Sequence, residues 1–328
     1  MIENFAKLCI ERGGDVVPLI VDCDQTKGTG LTNCSIFKDD DGSIFVNLRN
    51  VEYTFFHAEK EKFGHPWGPV VYVHPENDWK LRTNNFLGVM NSDVDDFKFW
   101  SKVDTTKLDV EPLWEFVGLE DARIVRWDGK LFITGVRRDT TDNGEGRMEL
   151  SEIELVGDKF TEVSRQRIPI PGAGYSYCEK NWMPVIDMPY TYVKWCSPVE
   201  VVEYNPETKK TKTIFLGKKD KDLDFDFRGG SQVIPFGEYR FAFCHVPNLF
   251  RNDNVRKNCT YRHRIIVFDK DWNLIKYTDE FDFMGAHVEF AVGACVHEDQ
   301  VLVTFGFSDN TSFLLKIPSD YLKEFIGI

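Results

Sequence analysis

The chain has 328 residues, of which 42% are hydrophobic and 14% aromatic, so it can bury a large core. Its formal net charge of −13 argues against a nucleic-acid partner, because a phosphate backbone is bound by a basic surface. The first residues include acids and no long apolar segment, and no run approaches the roughly 18 apolar residues of a membrane helix. We therefore expect a cytoplasmic protein without a signal peptide or a membrane span.

Eight cysteines are scattered along the chain without CxxC pairs. This pattern favours reduced thiols in a cytosolic protein over a disulfide framework. His245, His263 and His287 also lack the spacing of a metal site, and isolated histidines on strands are more often packing residues. We expect no metal and no cofactor.

Short runs of alternating apolar and polar residues, separated by turn signals such as Asp41-Gly42 and Asp128-Gly129, indicate β-strands along most of the chain. Helical periodicity is confined to the first dozen residues and to Ser319–Ile328, and each predicts one short helix. No segment rich in proline, glycine or serine divides the chain. We expect one domain over residues 1–328.

Five segments share one design: a polar start, an apolar strand, a tight turn and a second, aromatic-rich strand. After a longer first interval they recur at roughly 50 to 60 residues, the period of a four-stranded propeller blade. In chain order they are Ser35–Arg49, Ala122–Arg137, Met183–Trp195, Ser231–His245 and Gly293–Phe307. Outer strands are predicted at Met148–Leu155, Val201–Tyr204, Thr211–Leu216, Arg264–Asp269 and Asn273–Tyr277. The predicted fold is an all-β, five-bladed β-propeller with short terminal helices, and the number of repeats favours it over a β-sandwich.

The first strand of each blade lines the central channel, so the residues that begin the repeats should converge at one mouth. The five starts read Asn33-Cys34-Ser35, Glu120-Asp121-Ala122-Arg123, Glu179-Lys180-Asn181-Trp182, Arg228-Gly229-Gly230-Ser231-Gln232 and His287-Val288-Glu289. Opposite charges from several blades in one concave site are typical of an active site, although salt bridges that pin the blades together are the alternative. The residues predicted to face one pocket are Asp121, Arg123, Lys180, Asn181, Arg228, Gln232, Glu289 and Asp309.

The segment Gly118–Arg123 resembles the GLEDPR signature of the inverting β-mannoside phosphorylases, a family of five-bladed propellers, and equally that of the related propeller β-1,2-mannosyltransferases. Further likenesses follow in the same order along the chain, at Arg228–Gly230 with Phe241–His245, at Tyr261–Asp269 and at Phe305–Asp309. The resemblance implies a carbohydrate substrate of the mannoside class.

The resemblance implies that Asp121 is the catalytic acid, or the base in the synthetic direction, and moves a proton at the glycosidic oxygen. It also implies that Arg123 holds Asp121 or a sugar oxygen, and that Asp309 accepts hydrogen bonds from sugar hydroxyls. His245 falls where the phosphorylases place a phosphate-contacting histidine. A half-buried histidine that closes a strand is the alternative for this position.

Glu120 is the rival of Asp121. Because adjacent strand residues face opposite ways, only one of the two is expected to point into the channel, and Arg123 should share the face of Asp121. An ionised Asp121 beside this arginine would have a lowered pKa. That state suits a carboxylate that receives a proton from an acceptor hydroxyl.

An anion pocket for a phosphate or a nucleotide diphosphate is predicted at Arg137 and Arg138, with Arg147 as a third candidate, because guanidinium groups bind phosphate bidentately. We expect Arg137 or Arg138 to act together with His245. No Walker or GxGxxG motif is present, which disfavours a nucleotide-sugar transferase of another fold.

The chain departs from the phosphorylase pattern in several places. Ala122 replaces the proline of the signature, and Cys178–Pro184 and Asn47–Arg49 are unusual for that family. These departures favour an inverting glycosyltransferase that forms a β-linked glycan from a phosphorylated or nucleotide sugar donor. The alternatives are an inverting β-mannoside phosphorylase or glycosidase, and a non-catalytic propeller that binds glycans or proteins. The expected partners are a sugar donor and a glycan acceptor, and homo-oligomer formation stays open.

Overall fold

The computed structural model of the protein describes residues 3–26, 29–57, 70–73, 80–218, 227–251 and 257–328. Its architecture is a five-bladed β-propeller with short helices, which confirms the predicted fold. The main strands of each blade pair antiparallel, and the first strand of each blade lies nearest the channel. Among the helices of the described residues, none has the length and apolar character needed to cross a membrane.

The N-terminal segment and the first blade account for nine strands. The segment contains β1 (Glu3–Asn4), α1 (Phe5–Glu11), β2 (Asp15–Pro18) and α2 (Cys23–Thr26). The first blade contains β3 (Leu31–Lys38), β4 (Ile44–Val51), β7 (Leu81–Met90) and β8 (Phe97–Lys102), with β9 (Phe116–Val117) beside β7 and a separate hairpin of β5 (Thr54–His57) and β6 (Val70–Val73).

The other four blades follow in chain order. The second contains β10 (Glu120–Trp127), β11 (Lys130–Arg137), β12 (Arg147–Val156) and β13 (Lys159–Arg167). The third contains β14 (Met183–Pro184), β15 (Thr191–Cys196), β16 (Val199–Asn205) and β17 (Lys210–Leu216). The fourth contains β18 (Ile234–Phe236), β19 (Tyr239–Arg251), β20 (Lys257–Phe268), β21 (Leu274–Tyr277) and β22 (Phe281–Asp282). The fifth contains β23 (Glu289–His297), β24 (Gln300–Phe307) and β25 (Thr311–Pro318), and α3 (Ser319–Ile326) follows it.

The five repeats form the inner hairpins of the five blades, as predicted, and both terminal helices are present. The N-terminus contributes more than the predicted helix. The strand β2 pairs antiparallel with β25 and becomes the outer strand of the fifth blade, with Val17 opposite Leu314. Because this pairing joins the two ends of the chain, it closes the ring of blades.

Apolar side chains fill the spaces between the blades, and most of the aromatic excess lies there. Phe283 and Phe305 stack with ring centroids 4.3 Å apart, and Trp127 packs edge-on against Tyr192 at 5.4 Å. Such aromatic pairs add to the energy of area burial and hold neighbouring blades in register. The blades therefore form a stiff frame for polar groups at the channel.

Candidate active site

A cavity of about 250 Å³ lies at one mouth of the channel, and we call it the mouth cavity. All five blades contribute to its wall, which places side chains from distant parts of the sequence within reach of one ligand. The lining residues are Thr32, Asn33, Arg49, Val51, Tyr53, Phe116, Glu120, Asp121, Arg138, Lys180, Asn181, Arg228, His245, Tyr261, Phe290 and Asp309. Seven residues predicted from the sequence are therefore brought together: Asp121, Arg138, Lys180, Asn181, Arg228, His245 and Asp309.

Several of these side chains stand on backbone in the left-handed region. The φ angles of Asn33, Asp121, Asn181 and Asp309 are 48°, 50°, 60° and 49°. Non-glycine residues rarely adopt such angles, although asparagine and aspartate tolerate them best. Residues held in this way cluster at functional sites, where the surrounding structure fixes them.

The left-handed residue Asp121 belongs to a β-bulge between Glu120 and Arg123 on β10. The bulge interrupts the alternation of side chains. Both Glu120 and Asp121 consequently line the mouth cavity, and both form ion pairs with Arg49, at 3.4 Å and 2.8 Å. The prediction that only one of the two acids can point into the channel is wrong for this reason.

Asp121 is a buried carboxylate with two donors on one oxygen. Its Oδ1 accepts hydrogen bonds from Asn33 Nδ2 and Arg49 Nη1, each at 2.8 Å. Burial by itself would raise the pKa of Asp121, but the cations Arg49 and Arg123 outweigh it, and the pKa lies below the ordinary aspartate value. Asp121 is therefore ionised at neutral pH.

Arg123 does not line the cavity but lies fully buried beneath it. It donates from Nη1 to the carbonyl oxygen of Asp121 and from Nε to that of Gly230, 2.9 Å away. Burial lowers its pKa to about 10, so the side chain stays charged at neutral pH. Arg123 thus ties the backbone of the second blade to that of the fourth, instead of reaching a ligand.

Asp309 lies in the turn between β24 and β25, half-buried in the cavity wall. Burial raises its pKa to about 6; Asp121 adds to the increase, while Arg49 and Lys180 oppose it. The two aspartates of the cavity therefore differ in protonation: Asp121 is held ionised, and Asp309 titrates close to neutral pH.

The cavity is also lined by cationic side chains, Arg138, Lys180 and Arg228, and we call this set the cationic wall. Lys180 is exposed and Arg228 is half-buried. The guanidinium of Arg138 lies between two aromatic rings, 5.1 Å from the centroid of Phe116 and 5.7 Å from that of Tyr177. Arg138 also donates to the carbonyl oxygen of Gly144 and to the hydroxyl of Tyr177, which fixes its orientation.

His245 is 2% exposed, and its Nδ1 lies 3.1 Å from the carbonyl oxygen of Gly229. A carbonyl oxygen only accepts, so Nδ1 carries a proton. Burial lowers the pKa of His245 well below its usual range, so the ring is neutral and Nε2 is an acceptor. A phosphate oxygen could pair with Nε2 only if the ring takes up a second proton.

Gln232 was predicted to face the pocket but is fully buried in the channel below it. Its Nε2 donates to the carbonyl oxygens of Ile36 and Ile124, both at 2.9 Å, and its Oε1 accepts from the amide of Ala294 at 3.0 Å. One side chain therefore joins four blades. All its hydrogen bonds go to backbone groups, so Gln232 has a structural role.

Glu289 is also fully buried and does not line the mouth cavity. Its carboxylate accepts three backbone amides, from Phe283, Met284 and Ala286, at 2.6–3.0 Å. The side chain therefore organises the loop before β23. Glu289 does not face the ligand pocket, as had been expected, because its carboxylate oxygens accept hydrogen bonds from these amides.

Arg137 lies outside the mouth cavity as well. It pairs with Asp139 and Glu149, at 3.3 Å and 2.8 Å, and borders a separate cavity of about 390 Å³ between the first and second blades. Arg147 pairs with Glu145 at 2.9 Å. Of the three arginines predicted to form an anion pocket, only Arg138 lines the cavity that His245 also lines.

Sequence reasoning missed the partners of Asp121. Asn33 begins the first repeat, in the position that Asp121 occupies in the second, and its left-handed backbone matches. Arg49 is the last residue of the first repeat and lies near the end of β4. Both positions were visible in the repeat pattern, but the pairing of Arg49 with an acid 72 residues later depends on how the blades pack.

No family model and no curated protein sequence matches the chain. Solved structures do. A β-1,2-mannobiose phosphorylase from Listeria innocua superposes with a TM-score of 0.54 at 12% identity, over 96% of this chain and 93% of that chain. A glycosyl hydrolase from Bacteroides ovatus superposes with a TM-score of 0.57 at 14% identity, over 89% of this chain and 85% of that chain.

A third similar structure comes from work on the GH130 family of mannoside phosphorylases, which contains glycoside hydrolases that target β-1,2-mannosidic linkages in Candida mannan. It superposes with a TM-score of 0.55 at 15% identity, over 89% of this chain and 85% of that chain. At such low identity these likenesses establish a shared propeller fold. They agree with the fold that the sequence repeats predicted.

Proposed function

We propose that the chain is a carbohydrate-active enzyme, an inverting glycosyltransferase that forms a β-linked glycan from a sugar donor activated by a phosphate or a nucleoside diphosphate. One observation carries the proposal: an ionised carboxylate, Asp121, lines the same small polar cavity as the cations Arg138, Lys180 and Arg228. The volume of about 250 Å³ is below the roughly 300–1,000 Å³ of pockets for drug-sized ligands and suits a monosaccharide unit.

Asp121 is the catalytic carboxylate of this proposal. Its Oδ1 is taken by Asn33 and Arg49, so Oδ2 is the oxygen left for the reacting sugar. A fixed negative charge stabilises the positive charge that develops on a sugar ring during transfer. The carboxylate can also receive a proton from a hydroxyl, directly or through a sugar hydroxyl.

The activating phosphate would bind the cationic wall. Arg138 is held in one orientation by its two aromatic neighbours, which reduces the entropy lost when it binds an oxyanion. Lys180 and Arg228 add positive charge on the side of His245, where they contribute to its lowered pKa after burial and His263. In this proposal the cations stabilise the leaving phosphate, and a carboxylate of the cavity receives the proton of the acceptor hydroxyl.

A mannoside phosphorylase is the second candidate, and the same cations favour it. Arg138, Lys180 and Arg228 suit inorganic phosphate as well as the phosphate of a donor. Phosphorolysis and transfer are one displacement run in opposite directions, so the cavity serves both. A propeller that only binds glycans would not need the buried Asp121–Arg49 pair beside an open oxygen.

The test is a thermal unfolding screen with sugar phosphates, nucleotide sugars and β-mannosides. A true ligand at a hundred times its Kd stabilises the protein by about 2.7 kcal/mol. The stabilisation should fall to about half or less in Arg138→Met. It should persist in the matched control Lys130→Met, an exposed cation outside the cavity. The proposal fails if no phosphate-bearing sugar stabilises the protein, or if the Arg138 variant is stabilised as strongly as the control.

A further inference from the structure

Asp309 and Asp121 line the same cavity but are held in different ways. Asp121 is fixed by two hydrogen bonds to its side chain. Within the described part of the chain, Asp309 has neither a side-chain hydrogen bond nor an ion pair within 4 Å. Both oxygens of Asp309 are therefore open to a ligand.

The backbone fixes the position of Asp309. The amide of Ser308 donates to the carbonyl oxygen of Val288 at 2.8 Å, and that of Asn310 donates to Phe307 at 3.2 Å. The first bond holds the turn against the residue before β23, and the second closes the turn itself. Because the turn needs no contact from the carboxylate, the side chain is free to gain and lose a proton without a change of fold.

We propose that Asp309 is a second catalytic carboxylate, which takes the proton of the acceptor hydroxyl while Asp121 remains ionised. The inference rests on the proposed function and deepens it: of the two tasks that Asp121 could perform there, it leaves Asp121 the fixed charge and assigns the proton to Asp309. Asp121 supplies the fixed negative charge next to the reacting sugar. Asp309 carries the proton.

The charged and titratable groups around Asp309 support this division. Arg49 on β4, Asp121 on β10 and Lys180 before β14 act on it, and Tyr261 on β20 stays neutral because its own pKa is raised to about 12, chiefly by burial. Together with burial they leave the pKa of Asp309 at about 6. A proton acceptor works best when its pKa is near the working pH, and pairs of acids driven apart in pKa divide the acid and base roles.

The proposed step balances as follows. The acceptor O–H bond breaks and its proton passes to the Asp309 carboxylate, while the acceptor oxygen forms a bond to the anomeric carbon. The bond from that carbon to the phosphate oxygen breaks, and its electron pair leaves with the phosphate. The proton on Asp309 then returns to solvent or to the released phosphate. In phosphorolysis the protonated Asp309 would deliver the same proton to the glycosidic oxygen.

The first test is the pH dependence of turnover for the wild type, Asp309→Asn and Asp121→Asn. Asparagine tolerates the left-handed backbone at this position, so the turn should be retained. We expect kcat of Asp309→Asn to fall roughly 10²–10⁴-fold. In the wild type, kcat should fall at acidic pH with an apparent pKa of about 6. This decrease should vanish in Asp309→Asn and persist in the residual activity of Asp121→Asn.

The matched control is Glu298→Gln, an exposed acid, also left-handed, in the turn at the other end of β23 and β24. It should behave as the wild type. If Asp309 only bound a sugar hydroxyl, Asp309→Asn would raise KM and keep both kcat and the acidic limb, which would overturn the proposal. Absence of turnover in the wild type would instead overturn the proposed function, and the catalytic role with it.

A second measurement needs no substrate. Carboxyl ¹³C resonances of aspartate-labelled protein can be titrated, and the resonance that is lost in Asp309→Asn identifies this residue. We expect it to titrate near pH 6. A midpoint below 4 would contradict the proposal even if the enzyme proves active.

Discussion

The two cavities differ in volume and in the ion pairing of their charged side chains. The cavity between the first and second blades has a volume of about 390 Å³, against about 250 Å³ for the mouth cavity. In the larger one, Arg137 pairs with Asp139 and Glu149, and Arg165 pairs with Glu162. In the smaller one, Asp309 and Lys180 have no ion pair within the described residues. An acid that lines the cavity without an ion pair, rather than the volume, is therefore the feature for which we propose the mouth cavity as the reacting site.

The variant with the largest expected effect is Asp121→Asn, which removes the ionised carboxylate of the mouth cavity and preserves its size. We expect turnover to fall roughly 10²–10⁴-fold with folding retained. Glu120 also pairs with Arg49, but its ion pair is the longer of the two. We therefore expect Glu120→Gln to lose less turnover than Asp121→Asn. Full activity in Asp121→Asn with none in Glu120→Gln would exchange the roles, and full activity in both would favour a binding module.

Next comes Arg137→Met in the larger cavity. Removing this arginine leaves Asp139 without an ion pair among the described residues, and leaves Glu149 with only Arg167, at 3.5 Å. Breaking a buried pair costs about 3–5 kcal/mol. Urea unfolding should show this loss, whereas donor affinity, measured where the variant is folded, should be unchanged. The opposite outcome, weak donor binding with normal stability, would move the anion site to Arg137, as the sequence had suggested.

Arg138→Met is the corresponding substitution in the mouth cavity. Hydrogen bonds to charged groups contribute about 1.5–3 kcal/mol, which corresponds to roughly 10- to 100-fold in the Kd of a phosphate-bearing donor. The loss of stability should be smaller than in Arg137→Met, since Arg138 is half-buried and has no acidic partner among the described residues. Calorimetric titration of the two variants side by side decides between the two arginines.

The inner hairpins could be predicted from the sequence because alternation and turn signals are local. Asp121 could be placed at the channel mouth for the same reason. The buried locations of Gln232 and Glu289 could not be predicted, although both residues lie in comparable positions at the starts of repeats. The side chain of Gln232 bonds to backbone groups of other blades, and that of Glu289 to the amides of the preceding loop. These partners are brought within reach only when the chain is folded, so the local sequence does not predict them.

The β-bulge at Asp121 could not be predicted from the sequence either. Strict alternation predicts that Glu120 faces away from the channel, and the left-handed residue reverses that. Nothing in the local sequence marks this bulge, since aspartate occupies many ordinary turns as well. The contact between Arg49 and Asp121 likewise joins two blades and has no local signal.

The smallest predicted effect concerns His245. If this ring contacts a bound oxyanion, it must take up a proton through Nε2, because Nδ1 already donates to Gly229. Calorimetry with inorganic sulfate in two buffers of different ionisation enthalpy should then show about one proton taken up per ion, and His245→Gln should show none. Binding without proton uptake in the wild type would instead make His245 an acceptor for a hydroxyl.

The central claim is that the mouth cavity transfers a glycosyl group with inversion. The most direct test incubates the wild type and Asp121→Asn with each donor that stabilises the protein, together with a glycan acceptor, and follows the anomeric protons by NMR. We predict a β-linked product, with release of phosphate or nucleoside diphosphate, in the wild type and almost none in Asp121→Asn. A wild-type protein that binds these donors tightly and leaves their anomeric signals unchanged would contradict the account.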